Sequence, residues 1–274
     1  MNPKVSVITC CYNQEPTIRR AIASVREQIF PFLIEHIIVD DGSTDNTIKE
    51  IVEGTNIPSL SSLHTIFCFK QHKGLMDSYS EGFCYATGEY IAFCDGDDYW
   101  IDPLKLQKQV EYMDKHPDVS LCISKVYTQY EGSEELIPME VDASYVNRVM
   151  SFDSLLIGNA YIHAQSYLLR ASSFGCVDFN EFCEKGFKLW DLPIVLELVK
   201  KTKFHCLDFY SAVFYKQKES TTNSRSRLKR LKYILAVNKI KLYYVKKYGC
   251  QSATKFYLIC RFMRDILSII FRRW

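Results

Sequence analysis

Over its first hundred residues the chain alternates short β-branched runs with segments whose apolar positions recur every three or four residues. Positions 5–9 read as a buried strand. Pro16 then stands in the first turn of a helix that lines up Ile18, Ala21, Ile22, Val25 and Ile29. A second strand is predicted at 34–39, and Ser43, Thr44 or Asp45 can cap the helix carrying Ile48, Ile51 and Val52. A third strand follows at 65–69. The helix predicted over 74–86 puts Leu75, Tyr79, Phe83 and Ala86 on one stripe. The fourth strand, 90–94, runs into a cluster of acids, and Asp102-Pro103 opens a helix that ends before Pro117. Strand and helix in alternation predict an α/β fold, a mostly parallel central sheet flanked by helices.

The pattern loosens after residue 118. Strands are predicted at 120–130, 166–170, 204–207 and 212–216, with helices at 152–156 and 192–199. Residues 131–148 are acidic and aperiodic and read as a loop; 219–224 read as a polar linker. Two basic amphipathic helices follow, split near Gly249. The first would bury Leu231, Ile234, Leu235, Asn238, Lys241 and Leu242; the second carries Tyr257, Leu258, Phe262, Ile266 and Ile269.

Charge divides the chain in the same place. Residues 221–274 hold fourteen Lys or Arg and one acid, Asp265, a net +13, while the preceding residues hold 20 against 31, a net −11. Such a tail suits an anionic surface. Its bulky apolar positions and terminal Trp274 suit the interface of a membrane, whereas no stretch approaches the ~18–20 apolar residues that span a bilayer. The eleven cysteines show no metal-ligand spacing and read as reduced thiols of a cytosolic protein.

Three predicted strands end in polar residues: Tyr12-Asn13, Asp40-Asp41, and Asp95-Gly96-Asp97-Asp98. Ligands of such sheets bind at the carboxyl ends of the strands. Crowded carboxylates repel unless a cation sits among them, and a hard divalent ion shared with phosphate oxygens meets that need. It would also stabilise a departing diphosphate. The plainer reading of each acidic turn is a helix cap. A carboxylate of Asp40-Asp41 could accept a hydrogen bond from a base or a ribose.

These residues resemble a known family. The segments running from Val5 to Asn13, Val39 to Asp45 and Asp95 to Trp100 look, in order and spacing, like the three leading motifs of the family 2 glycosyltransferases. The match is good over residues 4–118, looser to about 222, and does not cover the tail. The resemblance implies a GT-A domain and inversion at the anomeric carbon. It places Tyr12 and Asp41 at the nucleobase, Asp95 at the ribose and metal, and Asp97 at the metal, Mn2+ or Mg2+. Cys10 and Asn13 would complete the nucleotide-sugar pocket, with Cys10-Cys11 standing where the family usually has proline. Gln71-His72-Lys73-Gly74 occupies the place of an Asn-x-Gly element, so Gly74 is carried over, with Lys73 as a diphosphate contact. The general base would be Asp191, just before Pro193 at the start of a late helix; Asp178, Glu181 and Glu184 are nearby rivals. Tyr215 to Thr221 resembles the family's closing Tyr-Arg-x-His-x-x-Ser segment. Trp100, Asn159, His163 and Trp190 are the expected acceptor contacts.

The expectation is a GT-A glycosyltransferase domain over 1–220, split into a nucleotide-sugar half (1–118) and an acceptor half (119–220), with a helical tail over 221–274. It would move a hexosyl or N-acetylhexosaminyl group from a nucleotide-diphosphate sugar to a lipid-linked or oligosaccharide acceptor in bacterial surface polysaccharide synthesis: O-antigen, capsule or lipooligosaccharide. The expected location is cytoplasmic, peripheral on the inner face of the cytoplasmic membrane, with no nucleic-acid partner. A nucleotidyltransferase would place a Gly-rich basic loop where Tyr12-Asn13-Gln14-Glu15 stands. A nucleic-acid module using the tail would bind with strong salt dependence and leaves the acidic strand ends unexplained.

Overall fold

The computed structural model describes residues 2–55, 63–69, 71–158, 163–218 and 226–271. Its first half follows the predicted alternation: β1 (Val5–Cys11), α1 (Ile18–Arg26), β2 (Ile34–Asp40), α2 (Thr47–Thr55), β3 (Leu63–Phe69), α3 (Leu75–Tyr85) and β4 (Tyr90–Phe93). These four strands lie in the order β3-β2-β1-β4 and are all parallel. Both faces of β1 are buried, and its side chains alternate between two cores. Ile8 and Cys10 join Tyr79 and Phe93 on one side, while Val5 and Val7 join Ala21 and Val25 on the other. Near-continuous apolar strands are what a doubly covered parallel sheet requires.

The second half adds β5 (Tyr99–Trp100), α4 (Lys105–Lys115), β6 (Val119–Tyr130), β7 (Ile137–Pro138), α5 (Ala143–Val149), α6 (Phe152–Ile157), β8 (Leu168–Arg170), α7 (Phe179–Glu184), α8 (Asp191–Val199) and β9 (Lys203–Lys216). Strand β8 pairs antiparallel with both β4 and β6, and β6 pairs parallel with β9, so a nine-stranded sheet continues the parallel half as a mixed one.

Two expectations change here. Residues 131–148, read as a loop, contain β7 and α5. Asp142 starts α5 by accepting the amides of Ser144 (2.9 Å) and Tyr145 (3.2 Å). Ala143 and Val146 are its buried residues, too few to mark a period. The strands expected at 204–207 and 212–216 are one, β9, whose pairing with β6 shifts register around Lys125. A bulge of that kind interrupts the alternation without ending the strand.

The tail forms α9 (Arg227–Tyr248) and α10 (Ser252–Phe271). The buried face of α9 is rotated from the one expected: Ile240, Lys241 and Tyr244 are buried, whereas Leu235 and Leu242 are exposed. Tyrosines decide this. The Tyr244 hydroxyl donates to the Pro193 carbonyl (2.9 Å), while Tyr248 and Lys247 both reach the buried Glu197 of α8. On α10, Leu258 and Ile269 turn inward, and Phe256, Ile259, Met263, Leu267 and Phe271 form an exposed apolar stripe. Among the described residues no helix is long and apolar enough to cross a membrane.

Candidate active site

The site is built where β1, β2 and β4 end. At the end of β2 the two aspartates divide their work. Asp40 is fully buried, accepts the amides of Gly42 (3.1 Å) and Ser43 (2.9 Å), and so holds the turn. Asp41 reaches across to the segment before α3 and accepts the amides of Lys73 (3.0 Å) and Gly74 (2.8 Å). Gly74 adopts φ of 106°, a region that disfavours side chains. His72, whose Nδ1 lies 2.8 Å from the same Asp41 carboxylate, stacks on Tyr12 at 4.2 Å. Tyr12 remains 41% exposed, so this aromatic pair presents an open face beside β1. Asn13 bridges the two loops: its amide donates to the Ser43 hydroxyl (2.8 Å) and its side-chain oxygen accepts the Thr44 amide (2.8 Å). Lys73 is exposed at the rim.

At the end of β4 the carboxylates of Asp95, Asp97 and Asp98 offer oxygens that all lie within 4.8 Å of one another. Gly96 is required by close packing. A Cβ there would collide with Gln14 Oε1 and come within 2.8 Å of the Cys11 Cβ, while the Gly96 amide donates to the Cys10 carbonyl (3.1 Å). Asp95 accepts the Tyr79 hydroxyl, and Asp98 is buried and accepts the Tyr215 amide (2.7 Å). Burial, and then repulsion from Asp97 and Asp191, holds the Asp95 carboxyl well above the usual carboxylate range. Burial raises Asp97 to about 6, against the pull of its own backbone amide and of Arg20. Three oxygen donors crowded at this cost match the preference of Mn2+ or Mg2+ for carboxylates, so the residues present fit such an ion. Asp191 opens α8, its carboxylate accepting the Leu192 amide (2.8 Å). It is close enough to Asp95 for the two charges to oppose each other.

Other expected contacts take different places. Cys10 is buried, and its carbonyl accepts the Gly96 amide of the acidic turn. Trp100 and Trp190 are each 4% exposed and offer no face to an acceptor. Trp100 donates its indole N–H to the Gln165 carbonyl (3.0 Å). Trp190 stacks on Tyr79 at 3.7 Å, and so backs the tyrosine that holds Asp95. His163 is partly buried and stacks on Phe214 at 4.3 Å; burial lowers its pKa to about 4 and keeps the ring neutral. Asn159 lies outside the described residues. Two participants escaped the sequence reading. Tyr79 carried only a helical stripe signal. Arg20, on α1, lies over the rings of Tyr99 (4.0 Å) and Tyr215 (4.5 Å) and lowers the pKa of Asp97 and Asp98.

Residues 6–177, more than half of the chain, match the protein-family model described as Glycosyl transferase family 2. The chain belongs to that family. Among curated relatives of this chain, an uncharacterized protein of Mycobacterium tuberculosis is 36% identical over 166 residues, 61% of this chain and 46% of that one. The Escherichia coli UDP-Glc:alpha-D-GlcNAc-diphosphoundecaprenol beta-1,3-glucosyltransferase WfgD is 35% identical over 127 residues, 46% of each chain. The matches span less than half the length of these relatives. Among solved structures, Staphylococcus aureus TarS 1–349 in complex with UDP superposes with a TM-score of 0.65 at 18% identity, covering 97% of this chain and 72% of that one. The mannosyltransferase PcManGT of Pyrobaculum calidifontis, in complex with GDP-Man and Mn2+, gives 0.67 at 14% identity over 98% and 74%. These likenesses establish a GT-A fold for this chain.

Proposed function

We propose that this glycosyltransferase moves a hexosyl or N-acetylhexosaminyl group, with inversion, from a nucleotide-diphosphate sugar to an acceptor hydroxyl during bacterial surface polysaccharide synthesis. The observation that carries the reading is the meeting of Asp95, Asp97 and Asp98 with Asp191 in one cleft. The Tyr12–His72 pair offers the nucleobase a stacking face, and Asp41 shapes that wall through the Lys73 and Gly74 amides. Lys73 stands ready for the diphosphate. Asp97 and Asp95 would hold the divalent cation, Mn2+ or Mg2+. When bound, it supplies positive charge against the departing diphosphate. Asp191 takes the proton of the acceptor hydroxyl. The freed oxygen attacks the anomeric carbon from the side opposite the diphosphate, and the bond to the nucleotide breaks.

The names of relatives favour a sugar-polymer pathway, and one of them acts on a diphospho-lipid acceptor. A lipid-linked acceptor agrees with the exposed apolar stripe of α10, which would rest on the inner face of the cytoplasmic membrane while the basic side chains of 221–274 meet anionic headgroups. Residues 1–220 form the catalytic unit in this reading, with the donor on 1–118 and the acceptor on 119–220. The decisive experiment is thermal unfolding with UDP or GDP, with and without Mn2+. Stabilisation should need both, and Asp97→Asn should abolish the metal-dependent part. A nucleotide effect indifferent to metal and to Asp97→Asn would defeat the proposal.

A further inference from the structure

A cavity of about 120 Å³ lies between α9 and α10, lined by Tyr233, Asn238, Lys241, Arg261 and Asp265 among others. Lys241 is only 7% exposed. Its ammonium has no hydrogen-bond or ion-pair partner among the described residues, whereas Lys247 of the same helix bonds Glu197. Arg261 donates to the Ile157 carbonyl, and its Nε stands 3.9 Å from Asp265, which is also shared with Arg264 at 3.3 Å. The cavity therefore holds two cations against one divided carboxylate. The stem of Lys241 is buried, and its ammonium meets the cavity without a counter-charge of its own. Burial, reinforced by Arg261 and opposed by Asp265, lowers the pKa of Lys241 to about 8. Packing alone would be served better by leucine or methionine. At roughly 30 Å³ per water, the space holds about four waters, which suits one small anion.

The position of the cavity matters as much as its charge. Tyr244 bonds the Pro193 carbonyl and Lys247 bonds Glu197, so α9 runs beside α8 in the same direction. At ~1.5 Å per residue, Tyr233 precedes Tyr244 by about 16 Å and projects past the Asp191 end of α8. The Tyr233 hydroxyl feels the charges of both Asp191 and Arg261. One tyrosine of the cavity wall thus lies within electrostatic reach of the candidate base. The donor diphosphate has its own place at Asp95 and Asp97, leaving this cavity to the other substrate.

We propose that the cavity binds a phosphoryl group of the acceptor, with Lys241 and Arg261 as its cations, so that the acceptor hydroxyl is presented to Asp191. The proposal rests on the glycosyl-transfer reading and names the acceptor class as phosphate-bearing. It is tested on the full chain, without metal or nucleotide, by calorimetric titration with inorganic phosphate and with farnesyl phosphate. Binding of either should weaken at least tenfold in Lys241→Met and persist in Lys241→Arg, while both variants keep the UDP–Mn2+ stabilisation of the parent. Tighter binding of farnesyl phosphate than of inorganic phosphate supports a lipid-linked source; equal binding supports a soluble phosphate-bearing acceptor. Unchanged affinity in Lys241→Met, or no binding of either probe by the parent, overturns the proposal. Failure of the glycosyl-transfer reading registers separately, as loss of the UDP–Mn2+ effect in the parent protein.

Discussion

Within the Asp95-Gly96-Asp97-Asp98 turn each residue answers to a different neighbour. Asp95 is held by Tyr79 and Asp98 by the Tyr215 amide, which leaves Asp97 the carboxylate least committed to the protein. Gly96 lets the turn press against Cys11. Gly96→Ala should therefore destabilise the fold by about 1–3 kcal/mol and weaken metal-dependent nucleotide binding, both read from urea unfolding with and without UDP and Mn2+. Asp191→Asn should leave the Tm gain from UDP and Mn2+ intact and lower kcat by about 10²–10⁴-fold; full activity would remove Asp191 as the base. The clustering of Asp95 and Asp97 was legible because carboxylates crowded at a strand end demand a partner, whatever the fold, while Asp191 was singled out only by the family resemblance. Trp100, Trp190 and Cys10 were not, because a large apolar side chain beside a site and one beneath it look the same in sequence. Their burial follows from which way the strand or helix turns, and that is fixed by neighbours far along the chain.

Helices and strands of the first half were readable from periodicity, although α2 leaves Ile48 and Val52 exposed and β3 leaves Phe67 and Phe69 exposed. Elements that bury little were not: α5 has two buried residues and is announced mainly by its Asp142 cap. Helix α9 was readable as a helix but not in its orientation, because its apolar positions surround it and the hydroxyls of Tyr244 and Tyr248 choose the buried face. Helix α10 has two apolar faces: Leu258 and Ile269, read from the sequence as part of a face for the membrane, pack inward instead. The outer one carries the membrane proposal. Replacing Phe256, Met263 and Phe271 together by serine should abolish co-sedimentation with phosphatidylglycerol vesicles while leaving the thermal midpoint within a few degrees. Undiminished sedimentation would detach this stripe from any lipid role.

Across the whole molecule, α4 is anchored by an unusual group. Lys105 is fully buried, bonds the Gln109 side chain (2.8 Å) and lies over the Trp100 ring at 4.3 Å. Burial lowers its pKa from 10.5 to about 7, with Cys94 and Cys122 opposing. Above pH 7 the folded state releases this proton while the unfolded state keeps it up to about 10.5, so unfolding takes up a proton. The contribution of Lys105 to stability should rise with pH across that window and be flat below it. Lys105→Met should remove that rise and increase stability at pH 7, as measured by urea titrations at pH 7 and 9. A wild-type and variant difference that does not change with pH would show that the lysine is not held neutral.

The sequence by itself determined the alternation of strand and helix, the three polar strand ends and the carboxylates they carry. These follow from local rules: periodicity, helix starts, and the cost of placing like charges together. Only the tertiary structure decided the antiparallel insertion of β8 that joins the two halves of the sheet, the burial of the two tryptophans, and the joining of Tyr233, Lys241 and Arg261 around one cavity. The first two, and the nearness of Tyr233 to both Asp191 and Arg261, are meetings of segments distant in the chain, and local periodicity holds no record of which distant segments come to share a space.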